Sequence, residues 1–279
     1  MRRRRLQVTA VLVLSLTLAC GGSGGPGPPP VGAPSPAIYG LDSANTLIVF
    51  RATRPDLVTR TTAVTGLPSG ERLVGIDFRP ADGRLYGLGR GSRLYLIDTT
   101  SGAATIIGTP PFAPALLGST FGMDFNPVVD RLRIMSDSTQ NLRLDPVADT
   151  IAGVDTALVY ASGDAHMGTV PVIAAAGYTN SVPGAATTVL YAVDAALGIL
   201  VTVPAPNSGR LSTVGPLGVS TTLAVGFDID GSTGRAYATL TPVTGGASRF
   251  YGVNLVSGGA TLTSTVGHTV PLVGIAVHP

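Results

Sequence analysis

The chain has 279 residues, of which 44% are hydrophobic and 12% are charged, and its formal net charge is +2. Residues 2–5 are arginines, and without them the remaining chain has slightly more acidic than basic residues. This balance lacks the basic excess of a nucleic-acid-binding surface, so we expect no nucleic-acid partner. The apolar content and length suit a single all-β domain after the N-terminal segments.

Residues 1–19 have the pattern of a signal peptide. The arginines at 2–5 precede a short apolar segment at residues 8–18, which is too short to span a bilayer. The segment ends in LTLAC, and Cys20 is followed by Gly-Gly-Ser, which resembles the lipobox of bacterial lipoproteins. The resemblance implies lipidation of Cys20, a membrane partner through the lipid anchor and an extracytoplasmic location in the cell envelope. Thr17 stands where that motif usually has leucine, so secretion without an anchor is the alternative.

Residues 20–37 combine this cysteine with a Gly/Pro/Ser-rich tether, GGSGGPGPPPVGAPSPA, which has no residues for a core. Cys20 is the only cysteine, so the chain has no intramolecular disulfide. We therefore assign residues 38–279 to the folded domain.

The folded part repeats a pattern of short strands. A glycine opens the first strand of each unit at Gly75, Gly122, Gly177, Gly226 and Gly274, at intervals of about 50 residues. The units contain phrases such as SRLYLIDTTSG and SRFYGVNLVSG, in which β-branched and aromatic residues alternate with polar ones and turn residues follow. Repeats of this length and pattern are typical of propeller blades.

The two ends of the chain complete each other. The last unit has only a first strand, LVGIAVHP, whereas the folded part begins with three strands of a unit that lacks its first strand. Pairing of the ends would close the ring and remove exposed sheet edges. The sequence thus predicts an all-β, five-bladed β-propeller, with blade one shared between the termini and blades two to five following in order. A β-sandwich with coincidental spacing is the alternative.

The phrase GMDFNPVVDRLRIMSDSTQNLRLDP is similar to a hallmark of the bacterial domain-of-unknown-function family 4394. The phrases LVGIDFRPADGRLYGLG, AAAGYTNSVPGAATTVLYAVD and VGFDIDGSTGRAYATL point to the same family. The resemblance covers nearly all of residues 38–279. It implies an extracytoplasmic, β-propeller-like protein and brings no established activity.

Blade three has an unusual density of polar residues, which makes it the first candidate ligand site. Paired arginines on neighbouring strands can bind a carboxylate or phosphate bidentately. The alternative is an internal network in which Asp124, Asp130 and Asp137 neutralise the arginines. The candidate ligand-binding residues are Asp124, Asn126, Asp130, Arg131, Arg133, Asn141 and Arg143.

Aspartates in the first strands form the second candidate site. Asp77, Asp124 and Asp228 occupy the same position of their units, and we place Tyr178 and Ala276 there in the other two. First strands line the axial channel of a propeller, so three carboxylates could bind a cation such as Ca²⁺. The alternative is that each carboxylate accepts backbone N–H groups within its own blade.

Complete catalytic motifs are absent from the sequence. The three histidines lack zinc-site spacing, and Glu71 is the only glutamate. We therefore expect a non-catalytic, envelope-anchored propeller that binds a small ligand or an envelope protein. A hydrolase or lactonase-like enzyme with a cation in the axial channel is the alternative, and a structural envelope role is a third.

Overall fold

The computed structural model describes residues 35–108 and 110–279. The predicted signal peptide, Cys20 and most of the predicted tether lie outside the described residues. The tether's last residues are ordered against the domain, because the Ser35 hydroxyl accepts the N–H of Thr53 and the first strand begins at Ala37. Within the described part, no helix has the length and apolar character needed to cross a membrane.

The architecture is all-β, as predicted. Five separate sheets form five blades, and the only helix among the described residues is a short 3-10 turn, Pro206–Ser208. The innermost strands contact one another in cyclic order, so the sheets close into a ring. The predicted five-bladed propeller is confirmed.

Blade one joins the two ends of the described chain. Its strand order is β21-β1-β2-β3, and β21 pairs antiparallel with β1. This pairing confirms the predicted ring closure, and it gives β21 a hydrogen-bonding partner that an open array would lack. The four strands are β1 (Ala37–Asp42), β2 (Thr46–Arg51), β3 (Arg54–Ala63) and β21 (Leu272–Val277).

Blades two and three are four-stranded antiparallel meanders with the first strand innermost. Blade two consists of β4 (Leu73–Phe78), β5 (Leu85–Gly89), β6 (Arg93–Ile97) and β7 (Ala104–Ile107). Blade three consists of β8 (Phe121–Asn126), β9 (Arg131–Ser136), β10 (Asn141–Asp145) and β11 (Thr150–Val154).

Blades four and five complete the ring. A short strand, β12, adds in parallel to the outer edge of blade four, which has five strands as a result. Blade four consists of β12 (Val159–Tyr160), β13 (Ile173–Tyr178), β14 (Leu190–Asp194), β15 (Ile199–Thr202) and β16 (Arg210–Pro216). Blade five consists of β17 (Val225–Ile229), β18 (Ala236–Leu240), β19 (Arg249–Val253) and β20 (Ala260–Thr265).

The hydrophobic core lies between neighbouring blades. Strand residues alternate between the two faces of each sheet, so each blade packs apolar side chains against both of its neighbours. Between blades two and three, for example, Tyr86 and Phe125 form an edge-to-face pair with ring centroids 5.2 Å apart. Between blades five and one, Phe250 packs against Phe50 in the same way at 5.2 Å.

The inner strands approach one another closely at small residues. A Cβ atom added to Gly122 would lie 2.7 Å from the backbone carbonyl carbon of Ala175 in blade four. One added to Gly226 would lie 2.8 Å from the backbone nitrogen of Ile275 in blade one. Gly122 and Gly226, two of the repeat glycines, are therefore required by the close packing of strands around the axis.

Candidate functional site

Three buried carboxylates converge on the axis of the ring. Asp77, Asp124 and Asp228 lie on the inner strands of blades two, three and five and are 4%, 1% and 4% exposed. One oxygen from each lies within 4.8 Å of the other two. The structure thus brings together all three aspartates that the sequence singled out as a weak cation site.

Backbone N–H groups of neighbouring blades donate to these carboxylates. Asp77 Oδ2 accepts the N–H of Phe125 at 2.8 Å, across the boundary between blades two and three. Asp228 Oδ2 accepts the N–H of Val277 at 2.6 Å in blade one, and its Oδ1 accepts that of Ile229. The aspartates therefore link blades, whereas the sequence analysis had considered only contacts within a blade.

The same pattern extends around the ring. Asp124 accepts the N–H of Tyr178 in blade four, and Asp77 also accepts the N–H of Phe78 in its own strand. The three carboxylates thus accept one N–H group from each of the five inner strands. They offer six oxygens for five donors, and Asp124 Oδ1 has no hydrogen-bond partner although it is buried.

Burial and mutual repulsion make these carboxyl groups difficult to ionise. Burial, and then the charge of a neighbouring aspartate, raises the pKa of Asp77 and of Asp124 well above the usual value. Burial raises the pKa of Asp228 to about 7, although two backbone N–H groups oppose the shift. Within the described residues no basic side chain forms an ion pair with any of the three.

Blade four contradicts one detail of the predicted alignment. The N–H that Asp124 accepts belongs to Tyr178, one residue beyond Gly177, so Gly177 and not Tyr178 occupies the aspartate position. The cross-strand partners agree, since Tyr191 faces Gly177 just as Tyr86 faces Asp77. The offset arises because Ala175, and not a glycine, stands in β13 where Gly75 stands in β4, so an alignment on Gly177 misplaces the strand.

Arg133 is the buried centre of the blade-three cluster. Its Nη1 donates to Asp155 Oδ2 at 2.6 Å and to Asn141 Oδ1 at 2.8 Å. Its Nη2 donates to Asn207 Oδ1 at 2.7 Å, which ties blade three to blade four. Arg143 donates to both oxygens of Asp155 at 2.8 and 2.9 Å. The network thus joins two guanidinium groups to one carboxylate, so it carries one positive charge more than negative, and the buried Arg133 Nε has no hydrogen-bond partner.

The other candidates of blade three lie apart from this network. Asp130 forms an ion pair with Arg79 of blade two, and Arg131 forms one with Asp145 at 3.2 Å. Asn126 Oδ1 accepts N–H groups of the following turn, beginning with Val128 at 2.9 Å. The seven candidates therefore do not converge on one site. Asp137, which the internal-network alternative had included, instead accepts the N–H and hydroxyl of Ser119.

Sequence reasoning missed Asp155, Asn207 and Arg79, which partner the candidate arginines and Asp130. Asp155 and Asn207 lie in loops beyond the repeated strand pattern. Arg79 is distant from its partner Asp130 in the chain. A signal was available for Arg79, because in the repeat it occupies the position of Asn126, one of the candidate residues of blade three.

A second site lies at the mouth of the channel, where the inner strands begin. A pocket opens to solvent there, with about 470 Å³ of empty space that includes open solvent, and it is lined by residues from all five blades. Its lining includes the apolar residues Phe121, Leu223 and Val273 and the polar residues Ser43 and Thr120. The Thr120 hydroxyl is buried and has no partner.

Two arginines border this mouth. Arg72 lines the pocket, and its carbonyl accepts the N–H of Arg90 at 2.8 Å. The Arg90 guanidinium lies 5.6 Å from the ring centroid of Phe121, another lining residue. Neither arginine forms an ion pair within the described residues, and the nearby Glu71 carboxylate accepts N–H groups of Arg72 and Gly91 instead.

Comparison with protein families decides the classification. Residues 46–276 match the family described as "Domain of unknown function (DUF4394)". The chain belongs to this family. The resemblance found in the sequence is thereby confirmed, and the matched residues include strands of all five blades. No curated protein matches the chain.

Solved structures resemble the DUF4394 domain in part. A chain of the nidogen/laminin complex is 12% identical with a TM-score of 0.46, and the match covers 87% of this chain and 98% of that one. Glutaminyl cyclase from Myxococcus xanthus is 14% identical with a TM-score of 0.45, over 75% and 94% of the two chains. Hydrazine synthase from Kuenenia stuttgartiensis is 12% identical with a TM-score of 0.40, over 77% and 52%.

Proposed function

We propose that this DUF4394 protein is a non-catalytic binding protein of the cell envelope, anchored through a lipid on Cys20. Its propeller binds a small ligand, or the end of a partner chain, at the mouth of the axial channel. The observation that supports this proposal is the mouth pocket, which all five blades line and which Arg72 and Arg90 border without an ion pair.

The chemistry of the mouth indicates an anion with an apolar part. A guanidinium binds carboxylates and phosphates through charge-assisted hydrogen bonds. The wall formed by Phe121, Leu223 and Val273 suits a short hydrocarbon group, and the Thr120 hydroxyl has no hydrogen-bond partner within the protein. A carboxylate beside a short apolar group fits both requirements. The predicted anchor in blade three fits less well, because Arg133 and Arg143 already bind Asp155.

The hydrolase alternative is less well supported by the geometry. It requires a substrate to reach the axial aspartates, and these are at most 4% exposed. Leu73 lines the mouth pocket and Asp77 lies four residues further along the same strand, roughly 13 Å away at the rise of a β-strand. A substrate held at the mouth would therefore not contact the carboxylates.

Titration calorimetry of the full chain with acetate, butyrate and hexanoate tests the proposal. We expect affinity to increase with chain length and hexanol, which lacks the charge, to bind poorly. Arg72→Gln combined with Arg90→Gln should weaken hexanoate binding about tenfold or more, since two charge-assisted contacts are lost. Arg210→Gln, an exposed arginine of blade four, is the matched control. Equal binding of hexanol, or unchanged binding by the double variant, would contradict the proposal.

A further inference from the structure

We propose that Asp77, Asp124 and Asp228 together bind one divalent cation, of the chemical class of Ca²⁺, on the axis of the ring. This site is separate from the mouth pocket and goes beyond the proposed function. The cation would join the inner strands of three blades from the inside, while the antiparallel pairing of β21 with β1 closes the ring from within blade one.

The donor set suits a hard cation. Only carboxylate oxygens converge, and Ca²⁺ and Mg²⁺ prefer oxygen ligands, whereas Zn²⁺ favours nitrogen and sulfur. The three oxygens lie within 4.8 Å of one another. Any two ligands of one Ca²⁺ ion lie at most about 4.6–5.2 Å apart, because each bond measures about 2.3–2.6 Å. The spacing of the three carboxylates is therefore compatible with one shared Ca²⁺ ion.

The hydrogen bonding leaves one oxygen for a ligand. Asp124 is 1% exposed, and its Oδ1 has no hydrogen-bond partner. A buried polar atom without a partner costs free energy, so an unpaired carboxylate oxygen at this place requires a compensating contact. A cation supplies that contact. Thr239 Oγ1 is a second buried oxygen without a hydrogen-bond partner. Thr239 faces Gly226 on the neighbouring strand, and Gly226 precedes Asp228 by two residues.

Ionisation of all three carboxyl groups requires a positive charge that the neighbouring side chains do not provide. The arginine closest in the sheet, Arg133, directs its guanidinium to Asp155. Unpaired buried charges are strongly unfavourable, and a divalent ion at the centre offsets most of the negative charge. Blades one and four contribute no carboxylate, since Ala276 and Gly177 occupy the equivalent positions.

The test uses the full chain, stripped with a chelator and then desalted. Equilibrium dialysis against CaCl₂ with elemental analysis should give one ion per chain. Thermal unfolding with 1 mM CaCl₂ should show a midpoint about 5 °C higher than without it, because an ion that binds only the folded state stabilises it by mass action. Absence of both effects would overturn the proposal.

The variant Asp124→Asn distinguishes Ca²⁺ binding at the axial site from Ca²⁺ binding at the protein surface. Asparagine keeps the shape and an acceptor for the Tyr178 N–H but lacks the charge, so we expect a folded protein that binds no stoichiometric Ca²⁺ and shows no shift. Asp98→Asn, which removes the same charge from an exposed turn of blade two, should respond as wild type does. If Asp124→Asn does not fold, Asp77→Asn takes its place. An unchanged Ca²⁺ response in the folded axial variant would refute the site.

Discussion

Arg133 lies directly opposite Asp124 on the neighbouring strand, yet its guanidinium binds Asp155. At the equivalent position the other four blades have tyrosine: Tyr39, Tyr86, Tyr191 and Tyr237. Blade three therefore differs from the other blades at this position, and its arginine contacts blade four through a hydrogen bond to Asn207.

Loss of this arginine should destabilise the fold. Arg133→Ala removes one partner of a buried ion pair and leaves Asp155 and Asn141 incompletely bonded, so we expect a loss of about 3 kcal/mol in the free energy of unfolding. Arg131→Ala is the matched control on the same strand, because its pair with Asp145 is partly exposed and should be worth about 0–1 kcal/mol. Urea denaturation measures both. Equal effects of the two substitutions would contradict a structural role for Arg133.

The close approach of the inner strands can be tested with a single methyl group. Gly122→Ala places a Cβ atom 2.7 Å from the backbone of blade four, and backbone atoms cannot move aside as a side chain can. We expect a loss of about 1–3 kcal/mol, typical of overpacking. Gly252→Ala in β19 meets no atom within 4 Å and should leave the unfolding midpoint nearly unchanged or slightly higher. A comparable loss in both variants would show that axial crowding is not the cause.

The fold was predictable because its determinants are local and repeated. Strand alternation, the glycines of the inner strands and the incomplete units at the two ends together indicate five blades and their closure. Blade four was aligned wrongly, because its inner strand has Ala175 where blade two has Gly75. The residue at the aspartate position is therefore Gly177 and not Tyr178.

The candidate site was predictable only where the repeat determines position. Asp77 and Asp124 share a position in their units, so the sequence could place them together on the axis. The partners of the arginines could not be found in this way. Asp155 lies in a loop after β11, and Asn207 belongs to the next blade, so their contacts depend on how neighbouring blades pack. The mouth pocket also escaped prediction, because its lining residues precede or open the strands.

Asp149 should make stability depend on pH. It is 4% exposed, and burial raises its pKa to about 6. The folded chain therefore holds this proton more tightly than the unfolded chain, in which the pKa of an aspartate is near its ordinary value of 3.8. The stabilisation is complete below about pH 4 and is lost as pH rises through 6, with an amplitude of about 3 kcal/mol.

Asp149→Asn isolates this contribution. Asparagine tolerates the positive φ of 51° at this turn and does not titrate. Urea denaturation from pH 4 to pH 8 measures the free energy of unfolding of both proteins. The value for the variant minus the value for wild type should increase with pH and level off above pH 7. A difference that stays constant across this range would contradict a raised pKa at Asp149.

Closure of the ring by the last strand can be tested by truncation. A chain that ends at Pro271 lacks β21, so β1 loses its inner partner and Asp228 loses the N–H of Val277. The inner strands of blades five and two then no longer meet through blade one. We expect the truncated chain to lose cooperative thermal unfolding and to self-associate, since a bare inner strand edge pairs readily with other chains.

A chain that lacks only Pro279 is the control. It keeps every pair of β21 and should unfold as wild type does, as followed by circular dichroism and size-exclusion chromatography. A cooperative, monomeric truncated chain would show that the other four blades hold the ring without the terminal strand.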